Sequence, residues 1–282
     1  MNKTKKLRSS VAVVISFLMS ICIVATVIVG VVRLTALSTS YAKRVIINSG
    51  FGEKKSNELK TELVSYGNAC NIGGDFFDEF FEKTLTKELI EQDAVNYYSL
   101  IYSELKPSVD TAHLEEPLKA ALVEYAEKNG YAEDETLDED INLIVGEMCE
   151  IYSGVLSVPS VSTVHSLITK AKSLSDLALF AVAGGFVLTG LMLLFMFKPK
   201  VYSVRYLIYA FSGAFLMLLA APLYLRISNV VGKVNVVSKS LYSFIVSFGN
   251  GVLDSLIIGA CVCAVITAVL SIIYIKLSKK VK

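Results

Sequence analysis

The densest set of groups able to do chemistry is Asp75, Asp78, Glu79 and Glu82, interleaved with Phe76, Phe77, Phe80 and Phe81. Carboxylates at i, i+3, i+4 and i+7 share one helix face. Hard oxygen ligands so grouped could chelate a cation such as Ca²⁺. An amphipathic helix shows the same spacing with no ligand at all, because its polar face stands opposite its apolar stripe. That simpler account is preferred. A second acidic run, Glu133, Asp134 and Glu135 with Asp138, Glu139 and Asp140, lacks the central glycine and terminal glutamate of a calcium loop in register. Acids gathered at a helix N-terminus explain it.

His113 and His165 are the two histidines, and neither has a Cys or His at zinc-ligand spacing. The chain has no Gly-x-Ser-x-Gly elbow, no His-Glu-x-x-His helix, no phosphate-binding loop and no dinucleotide fingerprint. No cofactor is expected, no nucleic-acid partner, and no enzyme activity is supported. Of five cysteines, Cys22, Cys261 and Cys263 lie in long apolar runs, where they fill space. Cys70 and Cys149 lie outside those runs. They are either a disulfide closing a long loop or two free buried thiols, and spacing does not decide between them.

Two further features lie in apolar sequence. Gly251, Ser255, Gly259, Cys263, Thr267 and Ser271 recur every four residues, a stripe of small side chains that lets membrane helices approach closely. Shorter versions are Ala181 with Gly185 and Ala210 with Ala214. Asp254 is the one ionisable residue inside any long apolar run, and it falls in the first turn, where a helix N-terminus favours an anion. Arg226, at the end of the preceding run, is its expected partner. A single such acid disfavours an ion-coupled transporter.

The elements that must position these groups follow from the charge pattern. Hydrophobic residues are 54% of the 282, and mean hydropathy is +0.57, too apolar for an ordinary pair of soluble domains. A bilayer core of ~30 Å needs about 20 apolar residues. Val11–Val32, Leu177–Phe197 and Tyr206–Leu225 reach that length without a charge, and Gly251–Ile275 does so with Asp254 alone. The sequence therefore predicts transmembrane helices over 11–33, 177–197, 206–225 and 251–275. The first could instead be a cleaved signal peptide. Its apolar stretch exceeds the usual ~7–15 residues, and Arg33 separates it from the one plausible site at Ala36-Leu37-Ser38, so it is expected to stay as an anchor.

Lys3, Lys5, Lys6 and Arg8 precede the first span, Lys198, Lys200 and Arg205 join the second to the third, and Lys276, Lys279, Lys280 and Lys282 follow the fourth. Short basic segments stay cytoplasmic. This makes 1–10, 198–205 and 276–282 cytoplasmic and both termini internal. Segments 34–176 and 226–250 are then outside the cell membrane. Segment 34–176 holds 25 of the 26 acids against 12 lysines and arginines, a net charge of −13.

Periodicity in 34–176 predicts helices over 53–66, 75–81, 86–105, 114–128 and about 136–152. A last segment, 160–175, continues into the second span. Pro117 fits a first turn, Asn129-Gly130 a C-terminal stop, and Thr136 with Glu139 a capping box. In 226–250, Val237, Leu241, Phe244, Ile245 and Phe248 face away from Ser238, Lys239, Ser240, Ser243 and Ser247. That predicts an interfacial helix or an outward extension of the fourth span.

The fold class expected is thus an all-α integral membrane protein with four transmembrane helices and a helical extracytoplasmic domain between the first and second. Its bilayer contacts are lipid. Its favoured role is a binding or scaffold component with a protein partner, met through the external domain or the fourth span. The alternatives are a sensor or receptor subunit signalling through a separate membrane protein, and an accessory subunit of a transporter or membrane enzyme.

Overall fold

The structure, a computed structural model, describes residues 3–103, 106–131, 135–198 and 200–281. Among them there is no strand. The helices in chain order are α1 (Lys3–Leu34), α2 (Thr39–Asn48), α3 (Phe51–Ala69), α4 (Gly74–Lys83), α5 (Lys87–Leu100), α6 (Ala112–Lys128), α7 (Glu135–Leu156), α8 (Val161–Met196), α9 (Val201–Ile227) and α10 (Lys239–Val281), with a 3₁₀ turn at Val231–Lys233. By length and composition α1, α8, α9 and α10 can each cross a membrane, which marks the chain as a membrane protein.

The chain divides into two compact units. The membrane-type unit comprises Met1–Ser38, Lys170–Val234 and Phe248–Lys282. In it α1 is the helix that the other three share, and glycines set the approach. A Cβ added at Gly185 of α8 would lie 3.2 Å from Cys22 Sγ, one at Gly213 of α9 3.5 Å from Ser20, and one at Gly259 of α10 2.5 Å from Val27 Cγ1. Ser16 donates its hydroxyl to the Tyr206 carbonyl at 2.6 Å, and Ser9 and Tyr206 share a hydroxyl bond at 2.7 Å. Most other large apolar side chains of this unit point outward, as Phe180 (80% exposed) and Phe195 (82%) do. Lipid suits such a surface.

The acidic unit comprises Thr39–Thr169 and Asn235–Ser247. Its core joins Phe51, Leu59, Phe77, Ile90, Met148 and Tyr152, each 2% exposed or less. Local sequence explains its corners. At the end of α3, Asn71 takes a left-handed φ of 59°, Ile72 N–H donates to the Gly67 carbonyl at 2.8 Å and Asn71 N–H to that of Asn68, so the last carbonyls are satisfied. Gly130, at φ 76°, closes α6 in the same way, through Tyr131 N–H to the Ala126 carbonyl and Gly130 N–H to that of Glu127. Thr86 caps α5, its hydroxyl accepting from Leu89 N–H. Gly67 has no side chain because Phe77 occupies the space: a Cβ there would sit 2.4 Å from two ring carbons.

Several elements differ from the sequence expectations. Helix α2 was not expected. Helix α6 starts at Ala112, so Pro117 lies inside it and not in its first turn. Thr136 lies within α7, which already begins at Glu135, so the expected capping box does not open the helix. Helix α5 ends at Leu100, and Leu105 of its expected extension lies outside the described residues, as do Glu133 and Asp134. In 226–250 α9 runs to Ile227 and α10 starts at Lys239, so the segment holds an outward extension of the fourth span, one of the two alternatives expected. The two expected faces are not cleanly separated: Val237 is fully exposed, while Ser240 and Ser243 are buried beside Phe244, which packs on the core. The cause is Glu58 and Lys54 of α3, whose charged ends need polar partners.

Candidate binding groove

Helices α4 and α6 lie side by side in the acidic unit and leave a groove of about 560 Å³ between them. Phe76 and Phe80 stack at 5.8 Å and form its floor, and Tyr125 meets Phe76 edge-on at 5.3 Å. The Tyr125 hydroxyl accepts from Gly73 N–H at 2.9 Å, which fixes the start of α4 against α6. On the α6 side the wall is small: Pro117, Ala120 and Ala121. Ion pairs run along both rims, Lys83 with Glu79 at 2.5 Å and Lys128 with Glu124 at 2.7 Å. The Lys83 ammonium, helped by Lys128, holds the Glu79 carboxyl below the usual glutamate value, and Glu79 in turn raises Lys83. The groove's lining is more than half charged or polar, with Asp75, Glu79, Lys83, Thr84, Glu124, Lys128 and Asn129 around the aromatic residues.

The acids singled out in the sequence do not converge on a cation. Asp78 pairs with Lys60 at 2.5 Å and Glu79 with Lys83, while Asp75 lines the groove. Among the described residues no three of His, Cys, Asp and Glu come together as metal ligands. His165 is bonded at Nδ1 to the Ile101 carbonyl at 2.9 Å. His113 Nε2 lies 3.0 Å from Asp93 Oδ2, an oxygen that also accepts the Tyr152 hydroxyl at 2.5 Å. Asp93, His113 and Tyr152 thus bolt α5, α6 and α7 together. Burial, with the Asp93 bond and charge, pushes the Tyr152 hydroxyl far up, so it stays a proton donor. Cys70 and Cys149 are free thiols, so the bridging alternative is not formed. Burial raises the Cys149 thiol, with Glu115 adding to the effect.

A second polar cluster ties α3 to the first turns of α10. Glu58 accepts from Ser240 N–H at 2.9 Å, from Ser240 Oγ at 2.8 Å, from Ser238 Oγ at 3.0 Å and from Lys55 Nζ at 3.2 Å. Ser238 also accepts from Leu241 N–H at 3.2 Å, as an N-cap does. Beside it Lys54 donates to Ser243 Oγ, which donates to the Ser49 carbonyl. Phe244 packs between Phe51 and Tyr98. Burial alone would push the Glu58 carboxyl up. The two Ser240 bonds and Lys55 outweigh it and hold the group below its ordinary value.

In the membrane-type unit Arg226 Nη1 meets Asp254 Oδ1. A pair not anticipated from the sequence, Arg33 with Asp176, joins α1 to α8 in the same way. A signal for it existed: Arg33 and Asp176 bound the first and second apolar runs, much as Arg226 and Asp254 mark the facing ends of the third and fourth. In the small-residue stripe Cys263 is buried and Gly259 faces Val27, while Gly251, Ser255, Thr267 and Ser271 are half-buried. The hydroxyls of Ser255, Thr267 and Ser271 turn back to carbonyls four residues earlier on their own helix.

Compared with protein-family models, curated proteins and solved structures, the chain matches none. What defines its class is therefore its own geometry: an all-helical protein with four membrane-length helices and a separate acidic helical unit.

Proposed function

We propose that this chain is a non-enzymatic binding or scaffold protein of the cell membrane, which presents its acidic helical unit outside the cytoplasm to a protein partner. The observation that carries this reading is the pairing of two unlike units in one chain, one clad in apolar side chains and the other with a closed core and a charged surface. A unit that buries Phe51, Phe77 and Tyr152 in its own interior does not need the bilayer to fold. Its surface is free to serve recognition. The 11 basic residues flanking the spans support cytoplasmic termini, and hence an external position for the segment at −13.

The test has two arms, both on the full chain in intact cells. A cysteine at exposed Glu116 should react with a membrane-impermeant maleimide before permeabilisation. A photocrosslinking side chain placed in turn at exposed positions around the acidic unit should yield one protein adduct of constant mass from neighbouring positions. Labelling only after permeabilisation would overturn the topology. No adduct from any face would overturn the partner-binding role.

A further inference from the structure

We propose that Arg205, held by Tyr209 at the basic end of the membrane-type unit, binds the phosphate of an anionic phospholipid head group. The proposal needs only that the four long helices lie in a bilayer, and it is independent of the partner-binding role given above.

Depth comes first. From Arg205 to Arg226, α9 rises about 32 Å with no charge between them, close to the ~30 Å of a bilayer core. The two arginines therefore stand in opposite head-group layers. Their surroundings differ. The membrane-type unit has two acidic side chains, Asp176 and Asp254, and these are taken by Arg33 and Arg226. Arg33 lies about 36 Å along α1 from Ser9, the residue bonded to Tyr206, so both acids belong to the far end of the unit. Arg205 makes no ion pair among the described residues. Its counter-charge has to come from outside the chain.

Geometry prepares the cation. Arg205 Nε donates to the Tyr209 hydroxyl at 2.6 Å, and the guanidinium lies 5.5 Å over the Tyr209 ring. Tyr209 packs edge-on against Tyr206 at 5.9 Å, and Tyr206 stacks on Phe197 at 5.3 Å. The guanidinium is thus tied down at Nε, while its Nη groups carry the paired donors that match two phosphate oxygens. The Tyr209 hydroxyl accepts from Arg205, so its own proton can go to the same anion. Tyr274 of α10 is close enough to feel the Arg205 charge, so two spans border the site.

Charge selects the head group. Arg8, Lys198 and Lys276 are exposed within two residues of Ser9, Phe197 and Tyr274. A zwitterionic lipid would bring its own ammonium into this field, whereas phosphatidylglycerol brings the negative charge alone.

The test uses the full chain in detergent, titrated with phosphatidylglycerol or phosphatidylcholine, with bound lipid counted by native mass spectrometry. Phosphatidylglycerol should bind about fivefold more tightly than phosphatidylcholine. Arg205→Gln should weaken it about tenfold, the size of one charge-assisted contact, and Tyr209→Phe about threefold. Lys198→Gln, which removes one screened charge from the same field, should weaken it less than about twofold. Inorganic phosphate at equal concentration should not displace the lipid, whose chains lie on the apolar flanks of the spans. Equal binding of the two lipids overturns the proposal, as does an equal loss in Lys198→Gln and Arg205→Gln, or displacement by inorganic phosphate, which marks a site for the free ion. Where Arg205→Gln does not yield folded protein by size-exclusion chromatography, Tyr209→Phe decides, and unchanged lipid binding in that variant overturns the proposal. If lipid selectivity fails while photocrosslinks from the acidic unit still form in cells, the head-group site falls and the partner-binding role stands.

Discussion

Removing the charge of Glu58 should release the start of α10 from α3. In Glu58→Gln the side-chain volume is kept and one oxygen remains for Ser240 N–H. The new amide, however, points two donors at Lys55 Nζ and Ser240 Oγ, where two bonds now end on a carboxylate. Ser240 can rotate its hydroxyl to accept. Lys55 cannot, and its side chain is only 8% exposed. Hydrogen bonds to charged groups contribute about 1.5–3 kcal/mol each, and breaking a fully buried pair costs about 3–5 kcal/mol. Because the Glu58 side chain is 23% exposed, the lower part of that span applies. We therefore expect about 2–3 kcal/mol of local stability to be lost, a factor of roughly 30 to 150 in the opening equilibrium.

Amide hydrogen exchange of the full chain reads this directly, since protection reports local opening. Peptides covering Ser240 to Ser247 should lose protection by that factor, while peptides of the α7 interior around Met148 should not. The pH dependence has a definite sign. The folded Glu58 carboxyl lies below its ordinary value of 4.5, so the unfolded form takes up a proton first as pH falls. The stabilisation is complete above about 4.5 and is lost as pH drops through the lower folded value. After correction for intrinsic exchange rates, the native chain should show falling protection at Ser240–Ser247 below that point, and Glu58→Gln should be flat there. Native-like protection in the variant, or equal pH slopes in the two proteins, would refute the argument.

Two further predictions test packing and pairing. Gly67→Ala must push against the fully buried Phe77 ring, so it should cost about 1–3 kcal/mol in thermal or denaturant unfolding, while Gly74→Ala, which meets open space, should not. Asp254→Arg should lower the amount of assembled protein, and adding Arg226→Asp should restore it. The same exchange at Arg33 and Asp176 should behave alike, with recovery scored by size-exclusion chromatography in detergent.

What the sequence disclosed and what it hid follow from how far apart the interacting groups lie along the chain. The phenylalanine stripe of α4 and the Asn129-Gly130 stop of α6 are local, a few residues each, and both stand in the structure as the spacing implies. Helix α2 has only ten residues, and Lys43 and Arg44 sit between its buried Ala42, Val45 and Ile46, so its period is too short to register. The Asp93–His113–Tyr152 bolt joins positions 20 and 39 residues apart on three helices, which no local pattern can report. Glu58 and Ser240 are 182 residues apart. Each looks ordinary alone, an acid on a helix and a serine in a polar face. Only the fold buries Ser240 and Ser243 against α3.

The stripe of small residues on α10 shows why spacing alone overstates a seam. A repeat of four on a helix of 3.6 residues per turn advances about 40° with each step. From Gly251 to Ser271 there are five steps, so the last member has moved about 200° around the axis from the first. A straight helix cannot turn all six toward one neighbour. The structure agrees with that geometry: Gly259 and Cys263, in the middle of the stripe, are the members engaged with the shared helix α1 or buried in the core around it. Asp254, five residues before Gly259, meets α9 through Arg226. A bulky residue at Gly259 should therefore disturb the packing of α10 on α1, since a Cβ there already falls 2.5 Å from Val27. The same change at Ser271, a position four residues beyond Thr267 and bonded only back to it, should be absorbed. The stripe is then best understood as one close crossing at its centre, with small residues on either side that leave α10 free to diverge.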